Sequence, residues 1–319
     1  MNCRKFFPIL LSICAFPTCG QALHLAVHLE AKLDTPVVMQ SAITCKSGSQ
    51  IVAIGEDGAI YVWTLPSVTA RKISLAEGHV GAVDCDANGN LALGLNGGKV
   101  RILDATSGEI LQRIEAQLRV RNFSLSPDGN LLALVVTGSP TQLWDTRSGQ
   151  KLATGVTNMG ATWSAAFSTV GDFFVSADED TRVRVYSRSG KLLYTADAGL
   201  LEPFAVAFTP DGKRFAVAGA DGAVTLFQTS SGKKLKTSAG TGNPIFALNI
   251  SPGSGRLAAL ELDDFTLDPK AIGLWDMQSS DLQPSGIDTK GIIGFGTNKT
   301  HSVLLKQEDP KTLTVSSMQ

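Results

Sequence analysis

Short apolar runs separated by turn residues recur from residue 41 onward, and the clearest copy is FAVAFTPDGKRFAVAGADGAVTLFQTSSGKKLKT at 204–237. Within it, 204–208, 215–218 and 224–227 alternate apolar and small residues at period two, which predicts strands. Pro210-Asp211-Gly212 and Ala220-Asp221-Gly222 lie between them. Asp bonds within its own turn and Gly accepts positive φ, so both joints predict hairpins. The fourth run, 233–237, sets Lys233, Lys234 and Lys236 around Leu235. Charge on an exposed strand discourages edge pairing, and this run reads as a wet outer strand.

The last apolar position of each first strand gives the anchors Cys45, Cys85, Leu125, Phe167, Phe208, Ile250 and Phe295, spaced by 40, 40, 42, 41, 42 and 45 residues. A period of about 40–45 with four strands per unit is that of propeller blades. A large apolar group also returns near the end of each third strand, at Trp63, Leu103, Trp144, Tyr186, Phe227, Trp275 and Val315. Such groups are expected to be buried between neighbouring sheets. The fold expected is therefore all-β, a seven-bladed β-propeller. The last repeat stops after three runs, whereas LHLAVHLEAKL at 23–33 stands alone before the first. This N-terminal strand is expected to complete the last blade, closing the ring and removing open sheet edges.

On these residues the chain resembles the WD-repeat (Trp-Asp repeat) β-propeller family. Trp144-Asp145 and Trp275-Asp276 keep the dipeptide, and SADEDTRVRVYS at 176–187 follows the family's passage from second to third strand. The resemblance covers 41–319. It departs at the Gly-His that opens a family repeat, which only Gly78-His79 retains. The family's buried His, Asp, Ser or Thr and Trp network is thus expected to be incomplete in most blades, with His79 as its surviving histidine rather than a ligand.

Composition changes this picture in two places. The net charge is −1, with no long block of like charge, so no basic stripe points to nucleic acid. At the N-terminus, Arg4 and Lys5 precede an apolar run over 6–16, with Gly20 and Ala22 small before a cut after Ala22. That layout predicts a signal peptide over 1–22, the propeller over 23–319 and an exported protein, periplasmic or secreted. The apolar run falls short of the roughly 20 residues of a spanning helix, so no stable membrane span is expected after cleavage. An uncleaved anchor and a lipid-modified Cys19 are the alternatives. Cleavage would leave two of five cysteines, Cys45 and Cys85, at equivalent places in adjacent repeats. A disulfide needs Cα atoms about 4.4–6.8 Å apart, and neighbouring blades seldom approach so closely. The expectation is two small buried thiols rather than a disulfide or a metal pair.

Propeller geometry sorts the loop charges. Glu56, Asp57, Glu77, Asp178, Glu179, Asp180, Asp197, Glu202, Asp221, Asp263, Asp264 and Asp268 fall on the face of the fourth-to-first and second-to-third connections, with Arg119, Arg121 and Lys290. The opposite face collects basic residues, among them Arg71, Lys72, Lys213, Arg214, Lys233 and Lys234. The acidic face also carries the longest irregular insert, 261–270, where Asp263 and Asp264 flank a ridge begun by Phe265. Candidate partner-binding residues are His79, Arg119, Arg121, Glu202, Asp221, Asp263, Asp264 and Phe265, because loops on a rigid scaffold carry recognition. The inserted carboxylates lack the Gly and terminal Glu of a calcium loop. The repeated Ser-Gly turns lack the strand and helix of a phosphate loop. No catalytic residue, metal or cofactor is assigned. The function expected is a non-catalytic extracytoplasmic scaffold, a monomer binding a protein or peptide. The alternatives are a propeller enzyme, lactonase-like or quinone-dependent dehydrogenase-like, with its site at the axial mouth, and an intracellular assembly scaffold.

Overall fold

The computed structural model describes residues 27–156, 162–251, 256–263, 269–277, 283–284, 287–297 and 302–318. The segment expected as a signal peptide lies outside them. The described strands form seven four-stranded antiparallel sheets, arranged as the blades of a propeller. Their first strands, Met39–Cys45, Val80–Cys85, Val120–Leu125, Thr162–Phe167, Pro203–Phe208, Ile245–Ile250 and Ile292–Thr297, neighbour one another around the axis. The first six end on the residues that set the repeat spacing. In the fifth blade the remaining strands are Arg214–Gly219, Val224–Gln228 and Lys234–Thr237.

The residues at the third-strand ends are buried in every blade, with Trp63, Leu103, Phe227 and Trp275 wholly inaccessible. Each apolar cluster is shared by two neighbouring sheets: Val52 and Ile54 pack with Leu91 and Leu93, and Val175 and Val185 with Phe215 and Phe227. Phe215 and Phe227 stack at 5.0 Å, and Phe174 and Tyr186 at 4.8 Å one blade earlier. A blade alone would leave these faces wet, so the sheets stabilise one another only as a ring.

Ring closure follows the expected route. Val27–Asp34 pairs antiparallel with Thr312–Met318, Val27 opposite Met318 and Asp34 opposite Thr312. Leu33 is buried, and the indole N–H of Trp63 donates to the Asp34 carbonyl at 3.2 Å. The closing strand therefore completes the last sheet and also touches the first.

The cysteine expectation is corrected. Cys45 and Cys85 form a disulfide, with Cα atoms 6.1 Å apart. Both stand at the ends of first strands, where the blades converge on the axis, and there the gap between blades falls within bridging range. The next interfaces are laced by side chains at related positions. Asp84 accepts the Leu125 N–H at 2.8 Å, and Ser124 accepts the Phe167 N–H at 3.1 Å.

Polar stapling within blades is also rebuilt rather than lost. In the second blade, buried Arg101 binds Glu77 and Glu115, the latter at 2.8 Å. In the fourth, Arg184 binds Asp178 at 2.5 Å and Asp180 at 2.6 Å. In the first, Asp57 accepts from Tyr61 and Lys72, both at 2.8 Å. Lys72, expected on the basic face, thus reaches the acidic one, since the strand register places it beside Tyr61. His79 is corrected as well: it is exposed and packs against Gly58 of the first blade instead of joining a buried network. At Gly58, φ is +72° and a Cβ would lie 1.8 Å from the His79 ring, so only glycine fits under the imidazole.

Candidate functional site

Every first strand breaks register once, immediately after its opening residue: between Met39 and Ser41, Val80 and Ala82, Val120 and Asn122, Thr162 and Ser164, Pro203 and Ala205, Ile245 and Ala247, and Ile292 and Gly294. A bulge leaves one residue unpaired and re-aims its side chain. Around the ring these residues are Gln40, Gly81, Arg121, Trp163, Phe204, Phe246 and Ile293. All seven lie at the end entered by the fourth-to-first connections, so they ring one mouth of the axial channel.

Four of them form a continuous row. The Arg121 guanidinium sits 4.4 Å above the Trp163 ring, within cation–π range. Trp163 meets Phe204 edge-on at 5.2 Å, and Phe204 stacks on Phe246 at 4.4 Å. Phe246 is 39% exposed. Among the described residues the indole N–H of Trp163 has no acceptor. A large aromatic surface is thus presented at the axis instead of in the core.

The row stands on a rigid support. Thr162, next to Trp163, donates to Asp178 at 2.6 Å, and Ser176 donates to the same carboxylate at 3.0 Å. Arg184 closes the network on Asp178 and Asp180. Its hydrogen bond holds Asp180 below the usual carboxylate range, and Asp180 in turn holds Arg184 charged. Several acids counted as an acidic face are thereby neutralised: Asp178 and Asp180 by Arg184, Glu77 by Arg101, and Asp57 by Lys72.

Beside the aromatic row, Gly81, Ala82, Gly94, Leu95, Asn96, Arg119, Val120 and Arg121 line a depression of about 310 Å3 between the second and third blades. Arg101, Arg113 and Arg188 each contact a carboxylate. Arg119 and Arg121 contact none among the described residues, and no acid lines the depression.

The expected site residues separate on this map. Arg119 and Arg121 come together on one depression. Glu202 precedes the row in the connection to Phe204, with φ of +40°. Asp221 accepts the Ala223 N–H of its own turn at 3.2 Å. Asp263 lies 4.0 Å from Lys270, and Asp264 and Phe265 lie outside the described residues. Sequence reading missed Trp163, Phe204 and Phe246. Period two puts Phe204 on the same face as Phe208, and only the bulge separates them. The available signal was a bulky residue at the second position of several first strands, seen when VRNFSL, TWSAAF, PFAVAF and IFALNI are aligned.

Seven closed four-stranded blades around a channel with a ringed mouth define a β-propeller. Residues 163–251 match the family model of the anaphase-promoting complex subunit 4 WD40 domain. An uncharacterized WD repeat-containing protein of Synechocystis is 28% identical over 156 residues, 47% of this chain and 44% of that protein. THO complex subunit 3 of Arabidopsis thaliana is 27% identical over 230 residues, 70% of this chain and 72% of that one. WD repeat-containing protein 1 of Mus musculus is 27% identical over 199 residues, 59% of this chain but 32% of its own length. The chain therefore spans less than half of the first and third of these relatives. A solved structure titled "Crystal Structure of Mitotic Checkpoint Complex" superposes with a TM-score of 0.74 over 99% of both chains at 17% identity, a likeness of fold. These matches support the reading of the chain as a WD-repeat-like β-propeller.

Proposed function

We propose that this protein is a non-catalytic, exported binding module that holds a protein or peptide partner at the channel mouth, on Arg119, Arg121, Trp163, Phe204 and Phe246. The observation that carries the reading is the aromatic row, half-buried at Trp163 and Phe204 and exposed at Phe246. Three large rings are placed at the axis by bulges on a rigid scaffold, where burial against a partner would gain more than burial at isolated surface sites. WD-repeat propellers are typically protein-interaction scaffolds. The matched family model and THO complex subunit 3 are by name parts of assemblies, which supports the same role here. Export rests on the charged and apolar leader over 1–22 together with the Cys45–Cys85 disulfide, because such bonds persist in oxidising compartments.

The test is site-specific photocrosslinking in the native exported fraction. A photoreactive side chain at Phe246 should give one discrete adduct that disappears with Trp163→Ala, while the same group at Leu193 on an outer strand should not. Equal labelling from both positions would overturn the mouth as the binding site. Intact-mass measurement of that fraction checks export: the expected chain starts after Ala22 and retains its disulfide, and a full-length cytosolic chain with free thiols would overturn it.

A further inference from the structure

We infer that the mouth selects a peptide that places a carboxylate in the Arg119–Arg121 depression and bulky apolar side chains on Trp163, Phe204 and Phe246. The inference rests on the proposed binding role and adds the chemistry of the ligand.

Apart from Arg119 and Arg121 the lining residues of the depression are uncharged, so its charge is set by the two arginines. Gly81 supplies the bulge of the second blade, where the other blades of the row place Arg121, Trp163, Phe204 and Phe246. A Cβ there would meet nothing within 4 Å, so the space above it is open. Gly94 opposite is different: a Cβ would lie 2.8 Å from the Phe123 ring, which makes that glycine part of the packing. The absence of bulk at Gly81 therefore keeps room for a ligand group without serving the core.

Two guanidiniums without a carboxylate partner among the described residues call for an anion, and Arg offers carboxylates paired donors in a fixed plane. Arg121 lies over the Trp163 ring, 4.4 Å from its centroid, which places its guanidinium where the depression meets the aromatic row. A free inorganic anion would use only this end of the row. The aromatic surface begins at the same guanidinium and continues over three blades, which fits an extended segment with an acidic residue at one end and apolar residues beyond it. Glu202 and Asp221 on the same face add repulsion against segments carrying acid along their whole length.

Selection from a random twelve-residue peptide library displayed against the disulfide-intact protein tests this, with counter-selection on Gly81→Leu. Gly81→Leu fills the open depression and leaves the core untouched, and its melting curve should match that of the parent. Enriched peptides should combine Asp or Glu with Phe, Leu or Trp. Synthetic copies should bind at least tenfold more weakly when the acid is exchanged for Lys, when Arg121→Gln is used, or in Gly81→Leu. A copy with an amidated C-terminus separates a side-chain carboxylate from a terminal one: loss on amidation assigns the terminal group. Enrichment of apolar peptides without acid, dependent on Phe246 but indifferent to Arg121→Gln, overturns the carboxylate inference and leaves the binding role standing. No enrichment over a Phe246→Ala, Trp163→Ala variant overturns both.

Discussion

The two ends of the first strands differ more than any two blades do. At the closed end, neighbouring strands are tied: Cys45 to Cys85 by a disulfide, Asp84 to the Leu125 N–H, and Ser124 to the Phe167 N–H. At the bulged end the same strands leave Arg121, Trp163, Phe204 and Phe246 unpaired toward the mouth. One strand thus serves as a lock at one end and as a display at the other. The difference shows how a propeller can expose aromatic surface without loosening: rigidity is supplied a few residues away, in the same strand.

The largest expected effect comes from undermining the support of the display. Arg184→Ala leaves Asp178 buried without its cation, which should cost about 3–5 kcal/mol. Denaturant unfolding should show a lower midpoint, and a midpoint equal to the parent's would detach the network from the stability of the row.

Removing the lock comes next. Cys45→Ser with Cys85→Ser opens a link between residues 40 apart in sequence, worth about 2–4 kcal/mol by loop closure. Crosslinking at the mouth should persist in this variant at a temperature where it remains folded. Loss of the adduct there would show that the two ends are coupled.

Asp84 gives a smaller, pH-dependent effect. Burial pushes its carboxyl from an ordinary value near 3.8 up to about 6, against the pull of the Leu125 and Cys85 N–H groups and with a push from Asp86. The folded state holds the proton more tightly than the unfolded chain, so the contribution is complete below about 4 and is lost as pH rises through about 6. The melting temperature of the parent minus that of Asp84→Asn should therefore fall between pH 4 and pH 7. Parallel curves would remove Asp84 from the lock.

Phe246→Ala should change stability least, by about 0.5 kcal/mol, because the ring is partly exposed. It should nevertheless weaken binding of the selected peptides at least tenfold, read by titration against the parent. A large stability loss would reassign Phe246 to the core.

Much of the lock was legible only as geometry. Cys45 and Cys85 were visible as equivalent positions, but the distance between adjacent first strands is a property of the assembled ring. Arg101 and Arg184 sit mid-strand, where charge gives no sign of its partner until the fourth-to-first and second-to-third connections are folded over it. Arg119 and Arg121, by contrast, were singled out from loop charge, and the fold brings them together on one depression.

The sequence by itself determined the number of blades, the strand positions, the buried third-strand residues and the closing strand, because alternation and turn chemistry act over a few residues and repeat at a fixed period. Only the tertiary structure decided which charges are paired, which cysteines meet, and which side chain each bulge turns toward the mouth. A register shift of one residue reverses the face of a side chain, and that shift lies in the pairing of first with second strands, which period-two alternation does not encode.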